Sequence, residues 1–153
     1  MYRRILVPVD GSETAKRGLE EAINLADTLE SELRIVHIVD DSALALNPET
    51  GVAAAPLVED FAEAGRQILE EARALATARG AVAGIVLHEN FTGRVADLIC
   101  DEAKKWGAEL IVMGTHGHAG LRHAIRGSDA EAVVQGSTCP VLLVRSPRPS
   151  RKK

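Results

Sequence analysis

Between Met113 and Ser128 the chain reads Met-Gly-Thr-His-Gly-His-Ala-Gly-Leu-Arg-His-Ala-Ile-Arg-Gly-Ser, and Gly114, Gly117 and Gly127-Ser128 mark the spacing G-x2-G-x9-G-S. This composition suits a ligand that carries phosphate. Glycines let backbone N–H groups approach an anion with no Cβ in the way. A helix beginning at Ser128 adds unpaired N–H groups and a hydroxyl to such a cradle, and Arg122 and Arg126 add positive charge nearby. Two other phosphate loops are excluded, since the chain has no G-x-x-x-x-G-K-[ST] and no G-x-G-x-x-G after its first strand. The competing reading is a plain glycine-rich connector between a strand and a helix. His116, His118 and His123 raise the question of a metal, but their spacing comes with no partner carboxylate or thiolate pair. No Ser-His-Asp arrangement, nucleophile elbow or paired-carboxylate pattern is legible, so no catalytic residue is assigned.

The elements that must hold this loop alternate from the start of the chain. Arg4–Val9 is an aliphatic run closed by the turn and cap cluster Asp10-Gly11-Ser12. Ala15, Leu19, Ala22, Ile23, Ala26 and Leu29 then recur at helical spacing. Ser12 or Asp10 caps that helix, and Glu13 suits its dipole. Leu33–Val39 is a second strand, and Ala43–Pro56 is expected to be irregular. A helix from near Val58 to just before Gly80 leads to a third strand, Val82–Leu87. A further helix carries Val95, Leu98, Ile99, Ala103 and Trp106 and closes at Gly107. Leu110–Met113 is the fourth strand, a short helix runs from about Ser128 to Val134, and Val141–Val144 is the fifth strand. Strands this continuously aliphatic indicate burial on both faces, as in a parallel sheet covered by crossover helices. The expected architecture is a doubly wound α/β sandwich, which binds ligands beyond the carboxyl ends of its strands where the strand order reverses.

Bulk properties narrow the function classes. The 153 residues are 46% hydrophobic and 26% charged, but only 3% aromatic, with a net charge of -4. So few aromatics argue against a stacking platform for single-stranded nucleic acid. The mild acidity gives no reason to expect nucleic acid or an anionic membrane as partner. Cys100 and Cys139 sit in apolar contexts without zinc-like spacing and read as buried small hydrophobes. His37 and His88, both in strands, read as packed or hydrogen-bonded. The chain opens directly on a charged strand, no apolar run is long enough to cross a bilayer, and the expected compartment is the cytoplasm. Residues 1–146 are expected to form one domain, and the basic stretch 147–153 a frayed tail.

The segments Ile5–Glu13 (ILVPVDGSE), His37–Asp40 (HIVD), Leu110–Gly117 (LIVMGTHG), Gly127-Ser128 and Cys139–Val144 (CPVLLV) together resemble the universal stress protein family, over almost the whole length from Arg4 to Arg145. The nucleotide-binding branch of that family bears the G-x2-G-x9-G-[ST] pattern that this chain keeps. The resemblance implies binding of ATP, or of AMP or ADP, and a five-stranded parallel sheet in the order 3-2-1-4-5. It also implies roles. Asp10 is similar to the carboxylate that contacts the nucleotide through ribose hydroxyls, Pro8 and Val9 line the base side, and Ile38 meets the adenine with backbone and side chain. Met113 floors the ribose and base region, while Gly114, His116, Gly117, Gly127 and Ser128 hold the phosphates. Asp129 departs from the apolar residue common after Gly-Ser. If its carboxylate faces the loop it opposes a triphosphate, which favours AMP or weak binding.

A nucleotide-dependent switch or binding module is the leading reading. The alternatives are a weak ATPase in which Asp10 holds magnesium through water, and a nucleotide-independent interaction or assembly protein. The resemblance further implies a homodimer through Val141–Val144, an aliphatic strand at the edge of the sheet.

Overall fold

The computed structural model describes residues 1–40, 54–90, 93–115 and 127–146. Its elements, in chain order, are β1 (Arg4–Pro8), α1 (Glu13–Leu29), β2 (Glu32–Asp40), α2 (Ala54–Ala78), β3 (Ala83–Asn90), α3 (Val95–Trp106), β4 (Leu110–Thr115), α4 (Gly127–Gly136) and β5 (Val141–Arg145). All strand pairs are parallel, and the order is β3-β2-β1-β4-β5. Strand order therefore reverses between β1 and β4, as expected for the doubly wound sheet.

Two apolar layers sandwich the sheet. On one face Ile5, Val7, Leu33, Ile35, Leu110 and Val112 pack against Ala15, Leu19, Ala22, Ile23 and Ala26 of α1 and Leu69, Ala72 and Ala76 of α2. On the other, Leu6, Val36, Ile111 and Met113 pack against Ala96, Ile99 and Ala103 of α3 and Ala130 and Val133 of α4. Alternation along each strand sends successive side chains to opposite layers. That is why both faces of the central strands must be aliphatic. The edges depart from this pattern: β3 is half-buried over much of its length, and Leu142 and Leu143 of β5 are exposed.

Several boundaries differ from the sequence reading. Helix α2 begins at Ala54, not near Val58, so Pro56 lies in its first turn. Proline is tolerated there because the first N–H groups of a helix have no intrahelical acceptor. Strand β3 starts one residue later than expected and continues to Asn90, and α4 extends to Gly136. Cys100 and Cys139 are free thiols, half-buried rather than fully buried. Burial, then the carboxylates of Asp97 and Asp101 and the neighbouring Cys139, push the Cys100 thiol pKa up. That leaves it a poor nucleophile. Among the described residues no helix is long and apolar enough to cross a membrane.

Candidate functional site

The carboxyl end of β1 runs into the turn from Val9 to Ser12, and its registered pairing with β4 stops at Leu6↔Ile111. Gly11 takes φ +82°, a left-handed conformation that costs glycine little. Asp10 Oδ1 accepts the Ser12 N–H at 2.9 Å, and Ser12 Oγ accepts the Ala15 N–H at 3.1 Å. Ser12 is thus the N-cap of α1, and Asp10 is held at the mouth of the crevice by the turn that starts the helix. Pro8 and Val9 are buried immediately behind it.

The ladder between β1 and β2 ends at the pair Pro8↔Val36, with one further bond from Val9 N–H to Val36 O at 2.9 Å. Glu32 N–H donates to Arg3 O, whereas Leu33 N–H donates to Val82 O on the β3 side. Even-numbered residues of β2 therefore turn their peptide groups toward β1 and odd-numbered ones toward β3. Ile38 follows this parity. Its N–H and C=O face the β1 side beyond the last registered pair, and among the described residues no hydrogen bond continues the ladder there. A peptide donor and acceptor side by side suit a heteroaromatic edge that offers the complementary pair.

Glycine at 114 has a reason the sequence reading did not contain. A Cβ there would collide with the carbonyl oxygen of Thr14 and come within 2.6 Å of its carbon, and a Cβ at Gly18 would lie 2.6 Å from Gly114 N. The first turns of α1 thus press backbone to backbone on the end of β4. Met113 is fully buried between Leu6, Ile111 and the α3–α4 layer. Gly127 opens α4, and Ala130 and Val133 anchor that helix in the core. His116 and Gly117 lie outside the described residues, as do Arg122, Arg126, His118 and His123 and the side chain of Ser128. Asp129 is half-exposed in the first turn of α4.

A second opening, a groove of about 680 Å³ lined by Glu59, Asp60, Ala62, Glu63, Arg66 and Glu89, lies on the α2–β3 side. Its four carboxylates face one guanidinium, and Arg66 is already paired with Glu63 at 3.0 Å. That balance repels a phosphate, so the β1–β4 crevice is the better candidate.

A family model described as the universal stress protein family matches residues 1–145. The chain belongs to that family. Universal stress protein YxiE of Bacillus subtilis is 34% identical over 151 residues, an alignment spanning 95% of this chain and 100% of the relative. The crystal structure of a universal stress protein family member from Burkholderia pseudomallei superposes with a TM-score of 0.78 at 34% identity, covering 95% of this chain and 97% of that one. Two more distant structures share the fold. One is a universal stress protein in complex with cAMP (TM-score 0.65, 22% identity, 94% and 97% coverage). The other is a family protein of Arabidopsis thaliana with AMP bound (TM-score 0.70, 18% identity, 97% and 96% coverage).

The structure also assembles a polar cluster that the sequence reading missed. Glu102 of α3 is 6% exposed and takes Arg34 Nη1 at 2.8 Å on one oxygen and His88 Nε2 at 2.9 Å on the other. Arg34 also stacks over the Trp106 ring, 4.7 Å from its centroid. Burial pushes the Glu102 carboxyl pKa up, but the N–H groups of His88 and Arg34 outweigh it and hold the carboxyl below its ordinary value. The available signal was a glutamate three residues after Ile99, on the helical face that also carries Val95 and Trp106.

Proposed function

We propose that this chain binds an adenine nucleotide, ATP or its mono- and diphosphate, in the crevice where β1 and β4 diverge, and acts as a nucleotide-dependent switch or binding module of the stress response. The observation that carries the reading is the Ile38 peptide edge, turned toward the open end of β1 at the carboxyl end of the sheet, beside the switch point where doubly wound sheets take their ligands. An N–H beside a C=O matches the ring nitrogen and exocyclic amine of adenine. Asp10, at the mouth, has the chemistry to accept hydrogen bonds from ribose hydroxyls, while Pro8, Val9 and Met113 supply the apolar surround. Gly114, His116, Gly117, Gly127 and Ser128 are assigned to the phosphates. Family members bound to AMP and to cAMP support the same ligand class. We assign this work to residues 1–146 and to the cytoplasm.

Thermal-shift titration with ATP, ADP and AMP tests the reading, because a ligand bound only by the native state raises its melting temperature. Mass spectrometry of the natively purified protein should find an adenine nucleotide. No shift with any nucleotide and none bound would refute it. Gly117→Val should abolish binding and leave the fold intact.

The exposed edge strand favours one further reading. Leu142 and Leu143 are 38% and 39% exposed at the outer edge of the sheet, which suits a homodimer paired antiparallel through β5 about a two-fold axis. Light scattering should return about twice the 16.3 kDa chain mass; a monomer refutes it.

A further inference from the structure

A side chain meets the end of the β1–β2 ladder. The Val9 carbonyl, next in line to receive the Ile38 N–H, lies 2.7 Å from His37 Nδ1. A carbonyl only accepts, so Nδ1 carries the proton and donates. The imidazole belongs to an odd-numbered residue of β2 and lies on the α2 face of the sheet. There Gly65 lets α2 close on it: a Cβ at Gly65 would come within 2.7 Å of His37 Cδ2 and 2.9 Å of Leu87 Cδ1. The ring is wedged between helix and sheet with its donor aimed at one oxygen.

The geometry points to His37 as a positioning residue of the crevice: its side chain takes the Val9 carbonyl out of the ladder, holds the exit of β1 apart from β2, and so leaves the Ile38 peptide edge to the ligand. This rests on the adenine-nucleotide reading above, and it adds a residue that touches no ligand. Without the imidazole N–H, Val9 O is a buried acceptor with a ready alternative, the Ile38 N–H. One more rung then closes between β1 and β2, and the ligand loses its donor. His37 thereby favours an open crevice over a longer sheet.

The test compares His37→Leu, which removes the donor and keeps an apolar side chain, with His37→Asn, whose amide nitrogen hangs from Cγ as Nδ1 does. Calorimetric titration with AMP should show affinity lower by roughly tenfold or more in His37→Leu, and within a few-fold of the parent in His37→Asn. Hydrogen exchange on the unliganded proteins reads the cause directly. The Ile38 amide should exchange readily in the parent and in His37→Asn, and become protected in His37→Leu, a local gain of protection that simple loss of packing would not produce. Equal affinity in His37→Leu and the parent overturns the inference, as does equal weakness in the two variants. An Ile38 amide already protected in the parent does the same. Should the parent bind no nucleotide, the functional reading fails, while the exchange data still judge whether His37 diverts the ladder. Should His37→Leu fail to fold, the Ile38 amide resonance of the parent decides: it should move on saturation with AMP, and an unmoved Ile38 among other shifted crevice signals overturns the assignment.

Discussion

Gly114→Ala separates two reasons for a glycine, close approach of a phosphate and close approach of a helix. The added methyl would meet the Thr14 carbonyl oxygen, with the Thr14 carbon at 2.6 Å and Cγ2 at 3.0 Å. Two of these three atoms are backbone in the first turn of α1, so no rotamer change relieves them. Relief requires α1 to lift from β4. Overpacking a core typically costs about 1–3 kcal/mol, and a contact between backbones belongs at the upper end. A loss of about 3 kcal/mol lowers the melting temperature of a domain this size by roughly 6–12 °C. Gly84→Ala in β3 is the control, because a Cβ there meets nothing within 4 Å. It should be neutral or stabilise by about 0.5 kcal/mol through the unfolded chain. Melting curves followed by circular dichroism without ligand read both. If Gly114→Ala melts with Gly84→Ala and loses only nucleotide affinity, the helix-contact argument is wrong.

Three further outcomes follow from the same geometry. Glu102→Ala leaves Arg34 and His88 without their shared acceptor and should cost about 3 kcal/mol in urea unfolding near pH 7. Because the folded carboxyl pKa lies below its unfolded value, that contribution is complete above the ordinary glutamate range and disappears as pH falls through the folded pKa. The gap between variant and parent should therefore narrow as the pH is taken below the ordinary glutamate range; a constant gap contradicts the ion-pair assignment. Ser12→Ala removes the acceptor of the Ala15 N–H and should lower stability by about 1 kcal/mol, measured by thermal unfolding, with an unchanged value refuting the cap. Leu143→Arg should convert the proposed dimer to a 16.3 kDa species in light scattering, and an unchanged mass would place the interface elsewhere.

Layering was legible because burial leaves a periodic trace, Ile5, Leu6 and Val7 reading as a strand covered on both faces, whereas the strand order came from the family resemblance. The start of α2 was not legible, because Pro56 reads as a breaker until the first-turn exception is known to apply. Gly114 was noticed for a reason other than the one found, since a missing Cβ looks the same in sequence whether a phosphate or Thr14 occupies the space. Gly18, its counterpart in α1, left a weaker trace, a helix-interior glycine that lowers intrinsic helicity and so implies a close contact. Asp10 and Ser12 were legible as a turn and cap because their side chains act on their own neighbours. The His37–Val9 bond and the Glu102 cluster join residues 28, 68 and 14 positions apart, and local pattern carries no record of such pairings.

The central place of β1 also bears on how the chain is made. Its inner neighbours are β2, supplied early, and β4, which begins at Leu110. Even the N-terminal anchor waits for that region, since Arg4 O accepts the Glu109 N–H and Arg3 N–H donates to Glu109 Oε2. As the chain leaves the ribosome, β1, β2 and β3 with α1 and α2 can assemble first, with one edge of β1 unpaired. At about 5–20 residues per second, the roughly 25 residues between Asn90 and Thr115 take about 1–5 s to follow. For that interval the Ile5–Val7 backbone is an open, aliphatic pairing edge, the kind that recruits other strands. The strand lying deepest in the finished molecule is the one whose edge waits longest during synthesis.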